Sequence, residues 1–437
     1  MADPARILVR GSVLHFLRDP GAESHGEAWQ WFDDGGLLIE NGCIRACGTW
    51  SAVNAQVAAM SVQRFDYSGH LILPGLVDTH LHYVQAEMIA SFGHQLLDWL
   101  GNYTYPTEMR FADPEHARRM AGFVTDRLLA HGTTTASVFA SSHAASADAF
   151  FAAAHERHMR ILTGKVMMDR ECPTELQDTV ETAERDCEML IERWHGKGRL
   201  RYVVTPRFAI TSTNDQLAMA GRLFKSRPDL HLQSHLAENV AECARVAELF
   251  PGFARYLDVY EHFGLTGARS IYGHCIHLND TEHARMAQSE TAQAFCPTSN
   301  LFLGSGAYDL AAATRAGVRV GLATDVGGGT SLSMIRTLSE AYKVQQMNRA
   351  PVSPWQGWYL ATLGGARALH LEDCIGNFEI GKEADFVVLD WNATPDLRCR
   401  MDAARTLDER LFALMMMGDE RCVAATHILG KPVRGLA

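Results

Sequence analysis

The sequence predicts an α/β fold: a (β/α)8 TIM-type barrel with a small composite β domain built from both chain ends. Three observations predict it. Eight β-rich runs alternate with helical stretches from about residue 70 onward, a strand-like segment with a tight hairpin signal precedes them, and strands return after about residue 374.

The chain starts in the manner of strands, with Ile7-Leu8-Val9 and Val13-Leu14-His15-Phe16 flanking Arg10-Gly11-Ser12. Leu37-Leu38-Ile39 and Cys43-Ile44 then flank Asn41-Gly42, a dipeptide that favours a type I′ hairpin turn because both positions tolerate positive φ. The barrel strands are expected at Gly75–His82, Thr133–Phe139, Ile161–Met168, Arg201–Phe208, Leu230–Leu236, Ser270–Leu278, Gln293–Cys296 and Val318–Thr324. Among the helices between them, Asp113-Pro114-Glu115 supplies an N-cap and an N1 proline for a run to Leu129, and Glu175–Trp194 keeps apolar residues at helical spacing. After about residue 374 come Phe386-Val387-Val388-Leu389-Asp390, preceded by Gly381-Lys382-Glu383-Ala384-Asp385, and a last strand near Ala425–Leu429. The simplest construction joins these to the first strands. Residues 1–70 and 375–437 then form the composite β domain, and residues 71–374 the catalytic barrel, whose chemistry belongs at the C-terminal ends of its strands.

Composition bounds the function. With 437 residues, 47% hydrophobic and 21% charged, the chain can bury a large core and is neither disordered nor of low complexity. A formal net charge of −11 argues against a sequence-independent nucleic-acid surface and against an acidic membrane face, so neither is expected as a partner. No apolar run approaches the roughly 18 residues a spanning helix requires; Leu411–Met417 is far too short. The start, Met1-Ala2-Asp3-Pro4-Ala5-Arg6, carries an acid and a proline where a signal peptide is basic, so a cytoplasmic location is expected. Ten cysteines are too sparse for a disulfide framework, and Cys43-x-x-x-Cys47 lacks a second pair for a zinc knot; reduced thiols are expected.

The first barrel strand ends in Pro74-Gly75-Leu76-Val77-Asp78-Thr79-His80-Leu81-His82. With 20 histidines in the chain, about one His-x-His arises by chance, so the pair alone carries little. Its placement carries more, because strand residues two apart share a face and both imidazoles would point into the barrel mouth. Three later strand ends add His235-Leu236-Ala237-Glu238, Gly273-His274-Cys275 and Ala323-Thr324-Asp325. Burying four imidazoles and two carboxylates together is costly without a cation. Three imidazoles and one carboxylate suit Zn²⁺ or Fe²⁺ better than Mg²⁺ or Ca²⁺, and His80, His82, His235 and Asp325 are expected to hold one such ion per chain. A position left open for water would give a nucleophile near neutral pH. Glu238 is placed to move that water's proton, and His274, with Asp325, to steady the oxyanion formed on attack.

These motifs resemble the amidohydrolase superfamily in its mononuclear deaminase branch, from residue 74 to 325, and the Gly381-Lys382-x-Ala384-Asp385 stretch resembles that family's composite β domain. Within the branch the sequence is most similar to guanine-deaminating members. It shares with them Gln85, Trp99-Leu100 followed by Tyr103-Thr104-Tyr105-Pro106, His131-Gly132-Thr133-Thr134-Thr135, Gly164-Lys165-Val166-Met167-Met168-Asp169, Thr205-Pro206-Arg207-Phe208, Ser234-His235-Leu236-Ala237-Glu238-Asn239 and Cys296-Pro297-Thr298-Ser299-Asn300-Leu301. The resemblance implies hydrolysis of guanine to xanthine and ammonia, a nucleobase as the small-molecule partner, and a homodimer. It also implies that Arg207 bonds the guanine O6 and Gln85 another ring-edge atom, with Phe208 packing nearby. Tyr83-Val84 and Thr298 depart from the usual pattern and are expected to alter the pocket wall.

Three alternatives stand beside this reading. One is an aminohydrolase or chlorohydrolase acting on another purine, pyrimidine or triazine. Another is a non-catalytic member of the same fold. The third is a dinuclear centre bridged by a carboxylated Lys165, an arrangement that belongs to relatives with a second histidine and no glutamate in the strand-five position. The zinc deaminase signature His-x-Glu with Pro-Cys-x-x-Cys is absent.

Overall fold

The structure, a computed structural model, describes residues 6–21, 26–57, 61–93 and 95–433. Residues 1–5, on which the reading of the chain's start rests, lie outside the described residues.

A seven-stranded sheet comes from both ends of the chain. Its strands are β1 (Arg6–Phe16), β2 (Trp29–Glu40), β3 (Cys43–Thr49), β4 (Gln63–Pro74), and, after the barrel, β14 (Phe386–Asp390), β15 (Val423–Ile428) and β16 (Lys431–Pro432), in the order β16-β15-β14-β4-β1-β2-β3. Arg10-Gly11-Ser12 does not separate two strands; it is a register shift inside one long strand. There a Cβ on Gly11 would stand 2.7 Å from the end of the Ile72 side chain and 3.1 Å from the Tyr67 carbonyl, so β1 passes β4 closely at this glycine. Asn41 and Gly42 turn the β2–β3 hairpin with φ of 53° and 84°, and Glu40 pairs with Cys43 across it, the predicted type I′ geometry. β4 extends to Pro74, four residues beyond residue 70, the expected end of the N-terminal segment, because Leu71–Pro74 pair with β14.

The barrel strands are β5 (Leu76–His82), β6 (Thr133–Phe139), β7 (Arg160–Gly164), β9 (Arg201–Pro206), β10 (His231–Leu236), β11 (Ser270–His274), β12 (Ala292–Phe295) and β13 (Val320–Leu322), parallel and in chain order, with the short β8 (Val166–Met167) added on β9. All eight expected strands are present, and several end earlier than expected. The third is interrupted at Lys165, and the sixth stops at His274, where φ turns to 70° and then 52° at Cys275. The helix expected from Glu175 begins at Val180 behind a 3₁₀ turn, since Thr179 caps it through the Thr182 N–H. The helix Pro114–Ala130 is capped by Asp113 as predicted.

Among the described residues, no backbone ladder joins β5 to β13, so side chains and loop amides close the barrel. Asp78 Oδ1 accepts from the Thr324 N–H at 3.0 Å and its Oδ2 from the Thr324 hydroxyl at 2.5 Å. Thr79 donates to Leu322 O at 3.0 Å, and the Asp325 N–H donates to His80 O at 2.9 Å. The closure therefore fixes the two strand ends that carry His80 and Asp325.

At the opposite rim, Arg199 donates from Nε to Glu383 at 2.9 Å and from Nη1 to Asp385 at 3.1 Å, and Arg160 Nε donates to Glu383 at 2.9 Å. The Gly381–Asp385 stretch thus clamps the barrel to the composite sheet. Two helices not expected from the sequence, Pro395–Ala403 and Leu407–Met417, separate β14 from β15. The second receives the indole N–H groups of Trp355 and Trp358, at Asp408 and at the Leu411 carbonyl. No described helix is long and apolar enough to cross a membrane.

Candidate active site

His80 and His82 alternate on β5 and turn the same way, as strand parity requires, with ring centroids 5.2 Å apart. A Cβ on Gly273 would come within 2.7 Å of the His80 ring, so β11 must carry glycine there. Across the barrel mouth, His235 Nε2 lies 3.1 Å from His82 Nε2. Asp325 Oδ1 lies 3.4 Å from His80 Nε2 and 3.5 Å from His82 Nε2. All four side chains are buried.

Burial holds the His82 and His235 imidazoles well below the ordinary histidine pKa, so both are neutral bases. The His235 Nδ1–H donates to the Arg207 carbonyl at 2.6 Å, which turns the Nε2 lone pair inward. His80 Nε2 is buried without a hydrogen-bond partner. The His82 and His235 Nε2 atoms 3.1 Å apart, a His80 Nε2 that makes no hydrogen bond and a buried carboxylate form an unfavourable arrangement by themselves. A divalent cation satisfies all four, and this donor set fits one. The ligating atoms of His80, His82 and Asp325 lie within 4.8 Å of one another, as do those of His80, His235 and His274.

Glu238 follows Ala237, whose φ of 50° turns the chain off β10. Its own N–H donates to Glu242 at 2.8 Å, and its Oε1 accepts from Ser305 at 3.2 Å. Burial pushes the Glu238 carboxyl up to about 7, against the pull of His274. His274 Nε2 stands 3.4 Å from Glu238 Oε2 and 3.8 Å from Asp325 Oδ2, while its Nδ1 pairs with Asn300 Oδ1 at 2.8 Å. Burial disfavours its charged form, yet the Glu238 and Asp325 carboxylates and the Asn300 bond outweigh burial and raise its pKa.

The residues expected at the base edge also meet, through a group the sequence reading missed. Arg207 Nη1 donates to both oxygens of Glu108, at 3.0 and 2.8 Å, and Gln85 Nε2 donates to Glu108 Oε1 at 2.8 Å. Arg207 is therefore ion-paired inside the protein as well as facing the pocket. Glu108 lies two residues beyond the shared Tyr105-Pro106, and a glutamate on a short helix reads as solvated; only its partners, 23 and 99 residues away, reveal it as buried.

One pocket brings the parts together: His82, Gln85, Arg207, Phe208, His235, Glu238, His274 and Asp325 line it, together with the apolar Leu96, Trp99, Leu100 and Leu303. Tyr83, Val84 and Thr298 are not among its lining residues, contrary to expectation. Tyr83 turns its hydroxyl to the Ser146 carbonyl at 2.7 Å, inside the core. Lys165 pairs with Asp178 at 2.5 Å and bonds the Val166 carbonyl, so its amine is committed away from the imidazoles and does not support a bridged pair of ions. Cys296, expected as a plain core thiol, places its sulfur within 4.8 Å of ligating atoms of His274 and Asp325.

Residues 71–433 match the amidohydrolase family. The chain is 46% identical over 426 residues to guanine deaminase of Escherichia coli (strain K12), covering 97% of each chain. The solved structure of the E. coli guanine deaminase superposes with a TM-score of 0.96 over 99% of this chain and 100% of that one. Guanine deaminase from C. acetobutylicum, solved with guanine bound in its active site, is 26% identical and superposes with a TM-score of 0.88 over 98% of this chain and 100% of that one.

Proposed function

The chain belongs to the amidohydrolase family, and from that premise we propose that it is a guanine deaminase, hydrolysing guanine to xanthine and ammonia. The observation that carries the reading is the single cavity in which Glu238 and His274 face Gln85, Arg207 and Phe208 beside the histidine–aspartate cluster.

His80, His82, His235 and Asp325 would hold one divalent ion, read as Zn²⁺ with Fe²⁺ as the alternative; when bound, it activates water and acts as a Lewis acid. The protein's own groups do the rest. Glu238, with its carboxyl near neutrality, takes one proton of the attacking water and delivers it to a ring nitrogen, then takes the second from the hydroxyl of the adduct as the C2 carbonyl forms and delivers it to the departing amine. His274, held by Asn300, donates to the oxygen that becomes anionic on attack at C2, with Asp325 beside it. Arg207 and Gln85 present donors to the base edge, Arg207 to O6, and Phe208 packs against the ring. Leu96, Trp99, Leu100 and Leu303 supply the apolar part of the lining, which disfavours water in the pocket.

A panel of nucleobases scored for ammonia release tests the proposal. Guanine is expected to react, with adenine and cytosine inert, because adenine has no amine at C2 and presents a donor where Arg207 needs an acceptor. Comparable release from adenine or cytosine, or chloride release from a chlorotriazine, would move the assignment to another substrate class. The same reading takes the protein as a cytoplasmic homodimer, and light scattering of the purified chain tests the oligomeric state.

A further inference from the structure

We propose that Glu108 is a positioning residue for base recognition, locking Gln85 and Arg207 to each other so that the purine edge meets a fixed row of polar groups; the inference rests on the guanine reading above. Glu108 is fully buried and is not among the residues lining the cavity, so it acts through its neighbours. Its Oε1 is shared between Gln85 Nε2 at 2.8 Å and Arg207 Nη1 at 3.0 Å, which ties the two recognition side chains through one atom. Its Oε2 takes Arg207 Nη1 again at 2.8 Å.

Two consequences follow from the chemistry of the partners. A guanidinium is planar and rigid, so pinning Nη1 fixes the directions of Nη2 and Nε as well, and the Tyr105 ring, 5.6 Å from Arg207 Cζ, packs against the plane. Gln85 has its amide sense decided: its NH₂ meets a carboxylate on one side, and its Oε1 accepts from the Gly327 N–H at 3.2 Å on the other. A flipped amide would set oxygen against carboxylate and N–H against N–H. Glu108 also neutralises the buried Arg207, so that recognition of an uncharged base does not leave a lone buried cation.

The test compares Glu108→Gln with the parent as full-length, metal-loaded enzyme, using guanine turnover and calorimetric binding of hypoxanthine, which keeps O6, and of purine, which lacks it. The expected result is a KM for guanine raised at least about tenfold with kcat within about threefold. Hypoxanthine should weaken by at least about tenfold and purine by at least about threefold less than that, since purine keeps the ring-edge contact of Gln85 but lacks the O6 contact that depends on Arg207's placement. In a Gln85→Ala background the effect of Glu108→Gln should shrink, the mark of residues acting as a unit. An unchanged KM, or equal weakening of hypoxanthine and purine as general loosening would give, overturns the proposal. Should Glu108→Gln fail to fold, Glu108→Asp keeps the charge and shortens the reach, and the same asymmetry between the two ligands is expected at about threefold or more; equal shifts overturn it. A parent enzyme that releases no ammonia from guanine would instead count against the guanine reading. The hypoxanthine–purine split in calorimetry still decides the role of Glu108.

Discussion

Glu238 has to accept a proton and give it back within one turnover, which an amide cannot do. Glu238→Gln is therefore expected to keep its fold and metal content while kcat falls by about 10²-fold or more, measured by ammonia release alongside elemental analysis. The ligand residues behave differently. His80→Ala, His82→Ala or Asp325→Ala removes one of four donors, and each should bring bound metal well below one ion per chain by the same elemental analysis. Arg207 is a third case, because its guanidinium neutralises Glu108 as well as facing the pocket. Arg207→Ala should lower kcat/KM at least about tenfold at constant metal content and, by leaving a buried carboxylate unpaired, cost about 3 kcal/mol of stability in denaturant unfolding. Legibility at this scale follows sequence distance. His80, His82 and Glu238 stand out because strand parity and spacing from His235 mark them within a few residues. Glu108 does not, because its burial depends on partners on other elements.

The strands of the barrel were readable from their runs of β-branched and apolar residues, whereas their ends were not. Ala237, His274, Cys275 and Asp325 carry φ of 50°, 70°, 52° and 48°, so the chain leaves β geometry just where the functional side chains begin, while the apolar pattern runs on past the turn. The helices within residues 395–417 were missed for a related reason: they bury short stretches against barrel helices, and their pattern has too few turns to stand out from loop. The Gly381–Asp385 stretch, in contrast, is explained by the clamp it makes. Burial alone would raise the Glu383 pKa, but Arg160 and Arg199 outweigh it and hold the carboxyl below the ordinary value of 4.5. A carboxyl lowered on folding stabilises above its unfolded pKa, and that contribution is lost as pH falls through the folded value. Glu383→Gln should flatten the fall in stability below about pH 4.5, followed by urea midpoints across acid pH, and should cost about 2–3 kcal/mol at pH 7 because two buried guanidiniums lose a shared acceptor.

At the scale of the whole molecule the same feature that builds the site also closes the barrel. Among the described residues, strands β5 and β13 share no ladder and are joined by Asp78, Thr79, the Asp325 amide and the His82 amide, which donates to Val326 O at 2.5 Å, so the seam is held by few bonds. His80 and His82 stand on one side of that seam, Asp325 on the other, and His235 across the mouth on β10. An ion held by these four side chains would bridge the seam from inside. The unfolded chain has no such arrangement, so binding adds directly to the stability of the folded state by RT ln(1 + [L]/Kd), about 4 kcal/mol when the free ion is at a thousand times its Kd. Removing the ion with a chelator should therefore lower the melting temperature, and adding Zn²⁺ back should restore it in a concentration-dependent way. The restoration should be lost in His80→Ala and Asp325→Ala, which cut one anchor on each side of the seam, and kept in Glu238→Gln, which does not. Calorimetric scans of chelated and reloaded protein check this. Equal melting of the two forms would mean that the four residues do not share an ion across the seam, whatever the enzyme's activity.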